Sequence, residues 1–139
     1  MNSHKKKKIN LLLIAVLCIS AVVLLSGQGR LRRSGGYAEV EGLEITRGEY
    51  SDGVYQGEAD GFRPGLQVEI EITRGELNRI EVIAHNEIGR QFWEPPIRLI
   101  PEEIIKRQNT EVDTVSGATA TSYGIMAAVE DALEEAKGN

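Results

Sequence analysis

Apolar and polar residues alternate without a break from Leu66 to Thr73. Leu66, Val68, Ile70 and Ile72 fall on one side, and Gln67, Glu69, Glu71 and Thr73 on the other. A period of two is that of a strand with one face buried. Arg74-Gly75-Glu76 is turn material, and Leu77 to Ala84 predicts a second strand with Ile80, Val82 and Ala84 on one face. Gly53 to Gly61 predicts a shorter strand between turn residues, so residues 53–84 read as an antiparallel meander with a dry face and a wet one. The pattern changes after His85-Asn86-Glu87. Pro95-Pro96 is expected to stop any regular element. Arg98 to Gln108 suits a helix, with Pro101 in its first turn and Glu102 and Glu103 near the positive end of its dipole. Further on, Ile125, Ala128, Val129, Ala132, Leu133 and Ala136 recur at three- and four-residue spacing, with Glu130, Asp131, Glu134 and Glu135 on the other side. That is an amphipathic helix from about Ser122 to Lys137. The expected fold is α+β, a small antiparallel sheet packed with helices.

The start of the chain follows another pattern. No side chain from Ile9 to Gly29 is charged, and Ile9 to Leu25 is almost wholly apolar. A membrane-spanning helix needs about 20 such residues, with a lower limit of about 17. Lys5, Lys6, Lys7 and Lys8 stand just before it. The reading is a single-pass signal anchor over 9–29 in the cell membrane, with the basic residues 1–8 in the cytoplasm and the C-terminal domain extracytoplasmic. Arg30, Arg32 and Arg33 reduce the charge difference across the span. A cleaved signal peptide is the alternative, opposed by a run longer than the usual signal core of about 7–15 residues. Residues 30–51 read as a linker, and the domain proper is expected to occupy 52–139. Within the linker, Glu44-Ile45-Thr46-Arg47-Gly48-Glu49 recurs as Glu71-Ile72-Thr73-Arg74-Gly75-Glu76. Two copies are too few for a repeat architecture and read as two strand ends with similar turns.

Charge sharpens the division. Residues 1–33 hold seven of the 16 Lys and Arg and no acid, which leaves nine bases against 21 acids beyond them, a net of −12. A domain so acidic has no field for nucleic acid. Cys18 is the one cysteine and lies in the apolar run, so the outer domain has neither a disulfide nor a thiolate metal site.

The segment with chemical content is Asp113-Thr114-Val115-Ser116-Gly117-Ala118-Thr119-Ala120-Thr121-Ser122. It is a loop of small residues feeding a helix start. Gly117 can take backbone angles closed to other residues, and Ala118 and Ala120 keep the surface low. A helix N-terminus offers unpaired N–H groups and a positive dipole end, which favour a phosphate. Two readings follow from the residues alone: an anion site, or a plain loop in which Thr121 or Ser122 caps the helix.

Asp113, Thr114, Val115, Ser116, Gly117, Ala118 and Thr119, in that order, resemble the flavinylation motif of the FMN-binding domain family: Asp, two variable residues, Ser or Thr, Gly, Ala, then the Thr or Ser that takes the flavin. The family includes the C subunit of the sodium-pumping NADH:quinone oxidoreductase and the G subunit of the Rnf electron-transport complex. Asp52 to Ala59 is similar to its opening strand, Ile80 to Glu87 to its central strand and following loop, and Asn109 to Asp113 to its lead-in. The resemblance covers about residues 52–137. This domain is much shorter than those respiratory subunits, which separates it from membership of either pump. The resemblance implies FMN joined covalently to Thr119 through a phosphodiester, made by an ApbE-type flavin transferase that uses FAD and Mg²⁺ and reads Asp113 and Gly117. It implies a cofactor site containing Ser116, Gly117, Ala118, Thr121 and His85, and a carrier that passes electrons among membrane redox partners. A threonine hydroxyl is a weak nucleophile and needs such an enzyme and metal to attack phosphorus.

Other residues have plainer alternatives. His85 is either a flavin contact or a surface loop histidine. Phe92 and Trp93 either stack on the flavin ring or pack the core. Glu87, Glu94 and Glu102 read as a solvated face before they read as metal ligands. Thr121 ranks below Thr119 as the flavin acceptor because Thr119-Ala120 precedes it instead of Gly117-Ala118. Three functions are open: an extracytoplasmic electron carrier, an FMN-dependent reductase of a small acceptor, and an anchored binding module without cofactor. The intact run from Asp113 to Thr119 argues against the third, and nothing in so short a chain identifies the substrate site that the second would need, so the first is preferred.

Overall fold

The computed structural model describes residues 37–137, Glu39 excepted. The expected membrane anchor over 9–29 lies outside the described residues. Among the described residues no helix is long and apolar enough to cross a membrane.

Three antiparallel strands, β1 (Gly53–Ala59), β2 (Leu66–Thr73) and β3 (Glu76–Ala84), form one sheet in the order β1-β2-β3. Helix α1 (Arg90–Arg107) packs on β3, and helix α2 (Thr119–Lys137) packs on β1, β2 and α1. This is the small α+β layer arrangement expected from the pattern. Leu66, Val68, Ile70 and Ile72 are all buried against the helices. Each such side chain contributes roughly 1.5–3 kcal/mol by leaving water. Gly57 is where α2 comes closest to the sheet. A Cβ there would stand 2.1 Å from the Ala128 carbonyl oxygen, so only glycine admits the helix backbone.

The hairpin between β2 and β3 turns on Arg74 and Gly75, both with positive φ (58° and 72°). That is the two-residue turn whose twist matches the strands. Asp52 locks it from outside the hairpin: its carboxylate accepts the N–H groups of Gly75 and Arg74, each at 2.8 Å. Those two bonds, Gly75 first, hold the Asp52 carboxyl below the ordinary aspartate range.

β3 departs from strict alternation. Register shifts occur where Glu71 gives way to Ile72 and where Gln67 gives way to Val68. The first leaves Asn78 without a partner, so Leu77 and Ile80 both turn to the core. The second leaves Ile83 unpaired and turns Ala84 outward, where it had been expected inward.

Helix α1 also corrects the sequence reading. Pro95-Pro96 does not stop it; the helix begins at Arg90 and holds Pro95, Pro96 and Pro101 inside. Three prolines remove three i→i−4 donors. Packing offsets the loss: Pro96, Ile100, Pro101 and Ile104 are the face it buries. Arg90 also bridges to Glu94 across the first turn at 2.7 Å. Gln108, with φ 50°, ends the helix. Its side-chain amide accepts from the Leu77 N–H at 3.0 Å and donates to the Leu77 carbonyl at 2.8 Å, joining α1 to β3.

The stretch read as a linker is folded over its described later part. Ile45 and Tyr50 are buried. The Ile45 N–H donates to the Gln108 carbonyl at 2.8 Å and the Ser51 N–H to the Ala136 carbonyl at 3.2 Å. Glu130 explains why the segment stays down. Expected on the wet side of α2, it is buried, and its carboxylate accepts the N–H groups of Glu41 (3.0 Å) and Gly42 (2.9 Å) and the Thr110 hydroxyl (2.6 Å). A buried carboxylate is tolerable when donors surround it in this way. The two six-residue copies end in turns that touch. A Cβ on Gly75 would stand 2.9 Å from the Gly48 nitrogen, and Arg47 pairs with Glu76.

Candidate functional site

The loop from Val112 to Ala118 runs into α2, which starts at Thr119, three residues before the expected Ser122. Neither Thr121 nor Ser122 is the cap that a plain loop would need. The Ser122 hydroxyl donates to the Ala118 carbonyl at 2.8 Å and accepts the Val115 N–H at 3.1 Å. It braces the loop from within the first turn. The first helical bond runs from the Ser122 N–H to the Ala118 carbonyl. The N–H groups of Thr119, Ala120 and Thr121 therefore have no acceptor within the helix. Gly117 takes φ +78°, with open space where a Cβ would go. Its need is for the backbone angle alone.

Thr119, Ala120 and Thr121 line a cavity of about 850 Å³, within the usual range of about 300–1,000 Å³ for small-molecule sites. One wall is Gly117, Ala118, Thr119, Ala120 and Thr121 from the loop and α2. The others are Gly61 and Phe62 from the β1–β2 loop, Glu87, Ile88, Gly89 and Phe92 before and at the start of α1, and Tyr37. Phe62, Ile88, Phe92 and Tyr37 are large apolar side chains left exposed around it. Such a collar suits a flat, partly apolar ring, and the helix start suits a phosphate.

Glu87 is the polar side chain sequence reasoning undervalued. It was expected on a solvated face, yet only 8% of it is exposed. Its carboxylate accepts the Arg63 N–H at 2.9 Å and the hydroxyl of Thr121. A Cβ at Gly61 would stand 2.6 Å from Glu87 Oε1. Glu87 thus ties the β1–β2 loop to the first turn of α2 across the floor of the cavity. No periodicity marks Glu87 in the sequence, because it lies in an irregular segment. Among the described residues no three His, Cys, Asp or Glu gather as a metal site.

The other sequence-derived candidates divide cleanly. Gly117, Ala118, Thr119 and Thr121 meet at the cavity. Asp113, Ser116 and His85 do not line it. The Asp113 side chain is 95% exposed, 3.7 Å from Arg107. His85 is half-buried, its ring 4.7 Å from that of Trp93, and its Nδ1 accepts the Glu87 N–H at 3.3 Å. The pair His85–Trp93 braces the strand-to-helix connection, while of Phe92 and Trp93 it is Phe92 that reaches the cavity. Tyr37 and Phe62 carried no signal in the sequence: the first lies in the stretch read as a linker, the second in a turn.

Fold and site together define a small α+β domain with an apolar-collared cavity beside one helix start. The profile of the FMN-binding domain family matches residues 61–134, more than half of the chain. The chain belongs to that family, and FMN is the cofactor that membership supports. It is also similar to an uncharacterized protein of Treponema pallidum (strain Nichols), at 28% identity over 137 residues, covering 94% of this chain. The chain spans 38% of the length of that relative.

Proposed function

We propose that this chain is a membrane-anchored, extracytoplasmic electron carrier whose FMN is joined to Thr119 by a phosphodiester. The observation that carries the reading is the state of three neighbouring hydroxyls. Those of Thr121 and Ser122 are taken up inside the protein. Thr119 lines the cavity, and its hydroxyl has no such partner among the described residues. Thr119 is also the first residue of α2. A phosphodiester there keeps one negative charge against the open N–H groups and the positive end of the helix dipole.

Thr119 has no base beside it, so attachment needs a transferase of the ApbE type. Thr119 would supply the oxygen that takes the FMN phosphoryl group of FAD, with AMP as the leaving group, a base of the transferase to take the hydroxyl proton and Mg²⁺ to make the phosphoryl group easier to attack. Asp113, exposed and outside the cavity, is where the transferase grips the loop, and Gly117 gives the loop the bend that presents Thr119. When bound, FMN supplies transfer of one or two electrons. The chain would position it: the N–H groups at the start of α2 would hold the phosphate end, and Phe62, Ile88 and Phe92 would keep water from the ring. The uncharged, apolar run over 9–29 supports an anchor that would keep the domain outside the membrane, where a tethered cofactor would not be lost to the medium. Redox partners in or on that membrane donate and accept the electrons.

Intact mass decides the matter. The full chain is co-expressed with an active flavin transferase, denatured and weighed. One added FMN, mapped to the peptide holding Thr119, is the expected result. An unmodified mass, with the transferase active on another substrate, overturns the covalent reading.

A further inference from the structure

A second part of the chain reaches the cavity from outside the residues that match the family. Tyr37 lines it, twenty-four positions before the match begins at Gly61. The Tyr37 ring lies 6.2 Å from that of Tyr123 at 45°, the spacing of an aromatic pair. Tyr123 stands four residues after Thr119 on α2, hence on the same face. Helical side chains lean toward the N-terminus of their helix, so the Tyr123 ring covers the turn that begins at Thr119. Tyr37 rests on that ring.

The placement of Tyr37 has its own support. The ring is 54% exposed and has no place in the core. The residues after it are fixed: Ala38 and Val40 pack on the core, and Glu130 holds the N–H groups of Glu41 and Gly42. A large aromatic is therefore held at the wall of a ring-sized cavity by the residues that follow it. Leaving such a ring half in water forgoes burial that a flat partner would supply.

We propose that Tyr37 is the cover of the flavin: its phenol ring stacks on the isoalloxazine, and the segment before the family domain completes the cofactor site. The inference rests on FMN occupying this cavity. It assigns to Tyr37 control of how far water and small solutes reach the ring.

The test uses the full chain in detergent, co-expressed with a flavin transferase, as wild type, Tyr37→Ala and Tyr37→Phe. Intact mass first establishes FMN on each. Flavin fluorescence and its quenching by iodide are then read. A stacked phenol quenches flavin emission, so Tyr37→Ala raises fluorescence severalfold and steepens iodide quenching severalfold. Tyr37→Phe raises fluorescence and leaves the iodide slope as in wild type, because the phenyl ring still covers the flavin. Flavin-bearing Tyr37→Ala with wild-type fluorescence and wild-type iodide slope overturns the cover and leaves the flavin site standing. Wild type without FMN overturns both. Should Tyr37→Ala not fold, the fluorescence of Tyr37→Phe carries the test: a rise supports the cover, and wild-type emission overturns it.

Discussion

Thr121 donates its hydroxyl to the Glu87 carboxylate, and that bond separates two threonines that look alike in the sequence. Thr121 is 3% exposed and already serves to join α2 to the floor of the cavity. Thr119, two residues earlier, is half-buried at the cavity wall.

Opposite outcomes are expected at the two positions. Thr119→Ala should fold and denature like the wild type but carry no FMN after denaturation. Thr121→Ala should keep its FMN and lose roughly 1–3 kcal/mol of stability, because the buried Glu87 carboxylate is left short of a donor. Intact mass and urea denaturation read both variants. Loss of flavin from Thr121→Ala alone would sink the assignment of Thr119.

Glu130 makes a prediction about the segment before β1. Glu130→Ala leaves the Thr110 hydroxyl and two backbone N–H groups without their acceptor. We expect a loss of roughly 1–3 kcal/mol or somewhat more, since hydrogen bonds to a charged group are among the stronger ones. Limited proteolysis should then cut near residues 37–43, where the wild type resists. Resistance equal to wild type would mean the packing of Ile45 and Tyr50 holds the segment alone.

Asp52 gives a pH dependence with a definite sign. The two N–H bonds from Gly75 and Arg74 hold its carboxyl below its usual value. The folded protein therefore binds this proton less readily than the unfolded chain. Stability from Asp52 is complete above the ordinary range near 3.9 and is lost as pH falls through the folded value. Asp52→Asn should be less stable than wild type at neutral pH, and the gap should shrink below about pH 4. Urea midpoints across a pH series test this. A gap constant into acid would show that Asp52 does not act through its charge.

Two glycines should fail in different ways. Gly57→Ala pushes a methyl into the Ala128 carbonyl and should cost stability beyond the roughly 1 kcal/mol of a backbone preference, because α2 must move. Gly117→Ala meets open space and should cost only about 1 kcal/mol of strain at φ +78°. Chemical denaturation ranks them. Equal costs would remove the argument that α2 is seated at Gly57.

Much of this was legible in the sequence, and the gaps have physical causes. Strand β2 and the apolar face of α2 follow from periodicity, because both bury one face. Strand β3 was legible in extent but not in facing, since the bulges at Asn78 and Ile83 break the period. The later part of helix α1 was legible from Arg98 onward, but its start at Arg90 was hidden by Pro95 and Pro96, whose lost bonds are offset by tertiary packing. The segment 113–121, loop and helix start together, was legible as chemistry through its motif. Glu87, Tyr37 and Phe62 were not, because irregular segments carry no period and their roles depend on what folds against them. Glu130 was misplaced by the same helical periodicity that found α2. Its position on the wheel said solvent, and the segment at Glu41 arrived to cover it.

The Glu130 clamp also sets where a pull on the chain is borne. Tension applied ahead of Tyr37 passes that ring first and ends at Glu41 and Gly42, which hand it to the middle of α2 and so to the sheet through Gly57. The loop from Asp113 to Ala118 lies off that line. Movement of whatever holds the N-terminal end would disturb the aromatic at the wall of the cavity and leave the threonine at its base unstrained.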